Sequence, residues 1–311
     1  MAGFVIRRFV GLVLTLWAAA TLTFVAVRLV PGDPVAAALS DTNAAPDVIA
    51  RRRAALGLDQ PPPVQYARFL GGLLRGDLGV TWYGGEPVTL AIRQQLPATL
   101  ALATSAMGVA VILGFGMGGL SAAFRGRLPG TVTSALAGVS LATPVIISGP
   151  LLIYLFAIRL DWLPATGQGR LDNLILPALV LGISAAGGIA RVVDAGLQEA
   201  LAQPFATTAR AKGLTPRKVL NRHALPVALM PVLTVIALQF GFLLGGAVVT
   251  ESLFARQGIG RLLVDAVLRK DLPLVQGVVL LSAFVYSGLN FLTDLAHAWL
   301  DPRVGAELVE A

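Results

Sequence analysis

Six apolar runs, each close to the length of a membrane-spanning helix, constrain this chain more than any other feature. They occupy roughly residues 9–30, 98–121, 132–158, 173–191, 227–250 and 273–297. At 1.5 Å per residue, about 20 apolar residues cross a hydrocarbon core of about 30 Å. With 56% of residues hydrophobic and only 13% charged, little polar surface is left to clothe a water-soluble domain. In lipid the backbone must satisfy its own hydrogen bonds, which leaves helices for runs of this length. The expected fold is an all-α integral membrane protein with six transmembrane helices.

Basic residues orient these helices. Arg7 and Arg8 precede the first run, Arg125 and Arg127 sit in the short loop after the second, and Arg303 lies beyond the last. The segment 191–226 adds six more, so placing these four regions in the cytoplasm collects 11 positive charges there. The two short opposite loops carry six: Arg159, Arg170, Arg256, Arg261, Arg269 and Lys270. The positive-inside rule therefore predicts cytoplasmic N- and C-termini in a multi-pass cell-membrane protein. The first apolar run is about twice the length of a signal-peptide core and has no convincing small-residue cleavage site after it, so an uncleaved first span is expected. The net charge of +7 reflects few acids and not nucleic-acid binding, since no basic patch is interleaved with aromatics.

The long loop 31–97 is expected to form a small helical cap on the outer face. Within it, Pro46 to Leu56 and Val64 to Leu74 have helical apolar spacing and are separated by Gly57 and Pro61-Pro62-Pro63. No repeat or low-complexity tail divides the chain, so residues 1–311 are read as one domain.

Several chemistries lack their residues. Cysteine is absent, which removes disulfides, zinc-thiolate sites and thiol catalysis. There is no phosphate-binding G-x-x-x-x-G-K-[ST] loop, no H-E-x-x-H and no Ser/His/Asp set, and His223 and His297 lie on separate segments. Neither catalytic nor cofactor nor metal residues are assigned, and the chain is not expected to be an enzyme.

Phe205 to Pro226, FATTARAKGLTPRKVLNRHALP, is a basic amphipathic segment between two apolar runs. Gly213 permits a short helix to end and turn, and Pro216 and Pro226 bracket the RKVLNRHAL segment after it. Ala206, Ala209, Ala211 and Gly213 predict a small-residue surface that a partner's side chains approach closely. The spacing resembles the cytoplasmic coupling motif of ABC-importer permeases: E-A-A, three residues, Gly, nine residues, I-x-L-P. Thr207-Thr208-Ala209 fall on E-A-A, Gly213 on the Gly, His223 on the I, and Leu225-Pro226 on L-P. Thr207 stands where the pattern has Glu, so that carboxylate is missing.

The remainder narrows the family. Pro31-Gly32-Asp33-Pro34, Leu56-Gly57-Leu58-Asp59-Gln60-Pro61, Gly76-Asp77-Leu78-Gly79, Thr250 to Gly277 and Asp301-Pro302-Arg303 all resemble the dipeptide/oligopeptide/nickel permeases, with a long first outer loop like the "B"-type subunit. The resemblance runs from Arg7 to Arg303. It implies a second, homologous permease, two cytoplasmic ATPase subunits that bind ATP and Mg, and an extracytoplasmic solute-binding protein. It also implies alternating access driven from the coupling loop 191–226. The residues expected to couple to the ATPase are Gln203, Phe205, Thr208, Ala209, Arg210, Lys212, Gly213 and Leu214. Phe205 is either the apolar anchor or a packing residue for this chain's own helices.

Other residues keep two readings each. Glu251 either meets solute or a neighbouring chain at the outer mouth or forms a helix-end salt bridge. Gln239 either lines the pathway or bonds a neighbouring helix. Asn290 and Asp294 share a face of the last span, either on the pathway or in a structural ion pair. Asp33 is expected to cap a turn, and Arg51-Arg52-Arg53 to be a solvated face or a contact for the binding protein. Pro144 and Pro150 should kink the third span, and the small residues 182–190 should pack closely, internally or on the partner permease. The alternative to an ATP-driven importer is a stand-alone secondary transporter or channel. Such a protein needs coupling-ion acids at mid-membrane, which are scarce here.

Overall fold

The computed structural model describes residues 2–29 and 45–300. Its elements are α1 (Ala2–Leu29), α2 (Pro46–Ala55), α3 (Pro62–Leu74), α4 (Val88–Ala123), α5 (Leu128–Ala142), α6 (Val145–Leu152), α7 (Asp172–Ala202), α8 (Pro204–Ala211), α9 (Pro216–Val219), α10 (Leu225–Gly246), α11 (Val248–Leu253), α12 (Ile259–Leu268) and α13 (Leu272–Leu300). Single π-helical stretches, Ile153–Arg159 and Leu220–Ala224, continue α6 and α9. The only β pairing among the described residues is one antiparallel bridge between Val80 and Pro87.

Five helices are long and apolar enough to span a membrane, and a bent helix pair is the candidate for a sixth span. That pair is the predicted run 132–158, which is not one helix: α5 and α6 meet at 105°. Thr143 is extended (φ −87°, ψ 113°) and Pro144 has no N–H to continue the helical ladder. The far end of the bent pair packs on Phe254. Beyond it, Gly167 N–H donates to the Phe254 carbonyl (3.2 Å) and Gln257 N–H to Gln168 Oε1 (2.8 Å), contacts at the end opposite the start of α5.

The core is built from small residues. Apolar side chains gain little by leaving lipid for protein, so helices associate through close packing. On α4, a Cβ added to Gly118 would lie 2.5 Å from the Ala190 carbonyl, and one at Gly114 would lie 2.7 Å from Ile189. On α7, Gly182 sits against the Ala106 carbonyl and Gly187 against that of Ala137. The stretch 182–190 therefore packs within this chain, against α4 and α5.

Two predicted boundaries move. The run 173–191 continues as helix to Ala202, so the segment between the fourth and fifth predicted spans begins at Gln203 and not at 191. The run 227–250 ends at Gly246, and α11 is separate. The segment 31–97 also ends early, because α4 starts at Val88. Asp33, with the rest of 31–34, and Asp301-Pro302-Arg303 lie outside the described residues.

The helix order gives the bundle a cap end and a basic end. At the cap end α3 docks on α1: Phe24 meets the Tyr66 ring edge-on (4.9 Å), and Thr21 Oγ1 shares a 2.6 Å hydrogen bond with Tyr66. At the basic end Arg8 pairs with Asp294 (3.1 Å) and Phe9 packs edge-to-face on Phe291. Asp294 is thus half of an ion pair joining α1 to α13. The start of α1, the end of α13, and α8 all lie at the basic end.

Candidate functional site: the short helix at the basic end and the hairpin at the cap end

At the basic end, α7 stops where Gln203 turns extended (φ −69°, ψ 152°) and Pro204 opens α8 at its first position, where no N–H is needed. Eight residues later α8 ends in a Schellman motif. Gly213 adopts a left-handed φ of 81°, its N–H donates to the Arg210 carbonyl (2.9 Å), and Leu214 N–H reaches the Ala209 carbonyl (3.2 Å). A Cβ at Gly213 would meet no atom within 4 Å, so glycine is required there by its backbone angle and not by crowding.

This motif turns the element's small residues inward. Ala206 and Ala209 are buried with Val219, and Leu201 and Leu214 pack on them. Ala206 and Ala209 are thus not the partner-facing surface expected from sequence; they fix α8 to its own chain, and half-buried Leu214 closes the same small core. What faces outward is the rest of the helix: exposed Thr207, Thr208 and Ala211 lie across from the buried stripe, Phe205, with 36% of its surface exposed, borders that stripe beside Ala209, and exposed Gln203, Arg210 and Lys212 flank them. Arg217, Lys218 and Arg222 extend a basic rim beyond it. Phe205 is the largest apolar side chain exposed on α8.

The other structured feature is the hairpin α11–α12 at the cap end. Glu251 is 1% exposed there, so it lines no open mouth, which corrects its expected place at the outer mouth. Its carboxylate accepts from Thr99 Oγ1 (2.6 Å) and from Arg261 N–H (3.1 Å), while Thr99 Oγ1 accepts from Ile259 N–H (2.8 Å). Ile259 and Arg261 lie in the first turn of α12, so the carboxylate meets orphan amides at the positive end of a helix dipole. A Cβ at Gly258 would lie 2.1 Å from Glu251 Oε1, so any larger residue there would displace the carboxylate. Arg256 N–H donates to the Glu251 carbonyl (2.8 Å) and its guanidinium to the Asn173 carbonyl (3.2 Å). Burial pushes the Arg256 pKa down, and the Glu251 charge pulls it partly back.

The remaining sequence candidates do not gather into a site. Gln239 fills the notch left by Gly188, its Nε2 being 3.0 Å from where a Cβ would stand, which makes it a packing partner of α7. Asn290 is half-buried on α13, one turn before Asp294. No group of three His, Cys, Asp or Glu that could hold a metal ion occurs among the described residues. Sequence reasoning missed Thr99 and the Asp271 tether, in which a buried carboxylate accepts from Trp82 N–H (3.1 Å) and Leu274 N–H (3.4 Å). Both join positions more than 150 residues apart or cap a local turn, and no spacing rule marks them.

A bundle of small-residue-packed spans with a short helix held out at one end by its own miniature core is the architecture of a transport permease. The family model for the binding-protein-dependent transport system inner membrane component matches residues 110–306, and that for the N-terminal part of such membrane components matches residues 1–103. The chain is 40% identical over 305 residues to the glutathione transport system permease protein GsiC of Pectobacterium atrosepticum, covering 98% of this chain and 99% of that one. It is 36% identical over 304 residues to the protein of the same description from Escherichia coli K12, with the same coverage. Among solved structures, the inward-facing MetNI methionine ABC transporter matches with a TM-score of 0.58 at 20% identity, covering 68% of this chain and 97% of that one. A further amino acid ABC transporter matches with a TM-score of 0.54 at 18% identity, covering 67% and 94%. The chain belongs to the family of binding-protein-dependent transport system inner membrane components, and is a permease subunit of an ATP-driven importer in the cell membrane.

Proposed function

We propose that this chain forms half of a translocation pathway for a short peptide or a related small solute, working by alternating access beside a second, related permease. The basic end, with both termini, faces the cytoplasm, and the cap end receives solute from a binding protein. ATP and Mg belong to two ATPase subunits, one of which docks on α8. The observation that carries this reading is the exposed surface of α8, from Phe205 at the edge of the buried stripe to Thr208 and the neighbouring Lys212, on a helix locked to its own chain by Ala206, Ala209 and Leu214. A helix held so firmly transmits a push from a partner to α7 and α10 as a rigid body. The relatives' name, glutathione transport permease, supports a peptide-sized solute.

The test is ATP-driven peptide uptake in proteoliposomes holding the whole complex, comparing wild type with Thr208→Glu. Thr208 is exposed and its side chain bonds only the Pro204 carbonyl one turn back, so the change alters the docking face and leaves the inner core intact. Uptake should fall at least tenfold while basal ATP hydrolysis loses its response to solute. Unchanged uptake, or uptake by this chain without ATP, overturns the reading.

A further inference from the structure

A cavity of about 880 Å³ lies beneath the cap, between α2, α3, the segment 77–82 and the cap ends of α1 and α13. Its size is that of a small-molecule site. Its charge is one-sided. Arg28, Arg53, Arg68 and Lys270 line it, and Asp77 is the one acidic side chain among its described lining residues. Asp77 is already engaged, its Oδ1 accepting from Gly79 N–H at 2.8 Å.

Three of these cations are positioned by features with no other evident purpose. Gly57, at φ 66°, leaves room for the Arg68 guanidinium, whose Nη1 would lie 2.9 Å from a Cβ there. Arg28 lies over the Phe24 ring, 3.4 Å from its centroid, and donates to Gln65 Oε1 and to the Phe24 carbonyl. Gln65 is itself fixed through its amide nitrogen to the Gln60 carbonyl (2.7 Å). Lys270 sits in the left-handed region at φ 56°, costly for a side chain with a Cβ, held by its N–H on the Val267 carbonyl (3.1 Å) and by the adjacent Asp271 tether. The cavity floor is apolar and aromatic, with Phe69 and Trp82.

We propose that this cavity is an anion site for a small amphipathic ligand, whose carboxylate or phosphate oxygens are met by Arg28, Arg68 and Lys270 while its apolar part rests on the aromatic floor. Guanidinium forks suit both oxyanions, and cations gathered in a concave, low-dielectric wall raise the local concentration of anions. Two sources supply that chemistry: the carboxylates of an acidic peptide solute, and the phosphate of a lipid headgroup beside α1 and α13. Only the first of these sources rests on the importer reading.

The experiment uses the whole complex in nanodiscs of zwitterionic lipid, without ATP or binding protein. Binding of a di-acidic tripeptide and of its amidated analogue is measured calorimetrically for wild type and for Arg68→Gln/Lys270→Gln. Both substituted side chains are exposed, so assembly should survive, and the size of the purified complex checks this. Retention of phosphatidylglycerol is measured in parallel by native mass spectrometry. If solute is the source, the tripeptide binds wild type, and the analogue and the double variant lose at least tenfold in affinity. If lipid is the source, the tripeptide does not bind, and phosphatidylglycerol stays with wild type and leaves the variant. If neither probe distinguishes wild type from the variant, the site is overturned. If, in the uptake assay above, the wild-type complex shows no ATP-driven uptake while tripeptide binding here is intact, the importer reading falls and the site stands.

Discussion

The two ends of the bundle hold their short helices by opposite means. At the basic end α8 is fixed by neighbours close in sequence, Leu201 to Val219, through apolar contact and a glycine turn. At the cap end the hairpin α11–α12 is fixed by a buried carboxylate that reaches Thr99, 152 positions away. The first arrangement leaves one face free for a partner. The second leaves the Glu251 carboxylate with no access to solvent, and its strength comes from desolvated hydrogen bonds that fail together when one member is removed. One end holds a short helix to its own flanking segments as a unit; the other holds the hairpin against the spans.

The contrast is broken most sharply at Glu251. In Glu251→Ala the first-turn amide of Arg261, the Thr99 hydroxyl and the buried Arg256 lose their anion, at a cost of about 3–5 kcal/mol. The purified complex should lose most of its thermal stability or fail to assemble. Glu251→Gln keeps an acceptor and should cost less, and the gap between the two variants reports how much the charge itself contributes. If Glu251→Ala melts like wild type, the hairpin is not held by this group.

Next in size is Gly213. A residue with a Cβ at φ 81° strains the Schellman turn, so Gly213→Ala should cost about 1 kcal/mol, and Gly213→Asn less because Asn tolerates left-handed angles. The measurement is the rate of solute-stimulated ATP hydrolysis alongside thermal stability. The open space around Gly213 means that these variants disturb the helix end and not a crowded contact. Phe205→Ala is the matching change on the outer face. It should leave stability within about 0.5 kcal/mol of wild type, as expected at an exposed position, and weaken ATPase association by about 1–2 kcal/mol if Phe205 anchors it. Titration of the ATPase subunits against the permease pair checks this.

This difference explains what is legible in the sequence. The long apolar helices, the cap helices at 46–56 and 64–74, and the glycine turn at 213 come from period, length and local backbone chemistry, all of which are written in neighbouring residues. The orientation of α8 is not, because alanine fits a buried contact and an exposed one equally well. Only the Schellman bond from Leu214, which rotates Ala206 and Ala209 onto Val219, decides between them. Pro144 alone predicts a kink, and the chain makes a 105° turn because Thr143 leaves helical angles as well. The Glu251 cluster and the cationic cavity are invisible for another reason: their members come from α1, the cap, α4 and the α12 region, and no local pattern links them.

A smaller effect concerns Asp271, whose carboxyl is pushed above the ordinary carboxylate range by burial, with the amides of Trp82 and Leu274 pulling partly against it. A raised folded-state pKa means that the stabilisation is fully present below the unfolded pKa, near 4, and fades as pH rises through the folded value. Wild type should therefore gain stability relative to Asp271→Asn as the pH is lowered from neutral toward 4. Parallel melting curves at both ends of that window test it, and a difference that shrinks on acidification would show that the amide hydrogen bonds, not burial, dominate.

The smallest expected effect is at Arg8 and Asp294, the ion pair joining α1 to α13 at the basic end. Its side chains keep 44% and 30% of their surface exposed, so water and salt screen the pair and each long side chain surrenders entropy to hold it. Arg8→Ala should cost no more than about 1 kcal/mol, with Phe9 on Phe291 still closing the same helix contact. The double variant Arg8→Ala/Asp294→Ala should be close to the single one. Melting temperatures in low and high salt provide the check, because a pair of this kind converges with its variants as salt rises. A loss comparable to that of Glu251→Ala would mean that α1 is held by its basic end, as the hairpin is held by a buried charge. The docking of α3 on Phe24 and Tyr66 would then be secondary for the position of the first span.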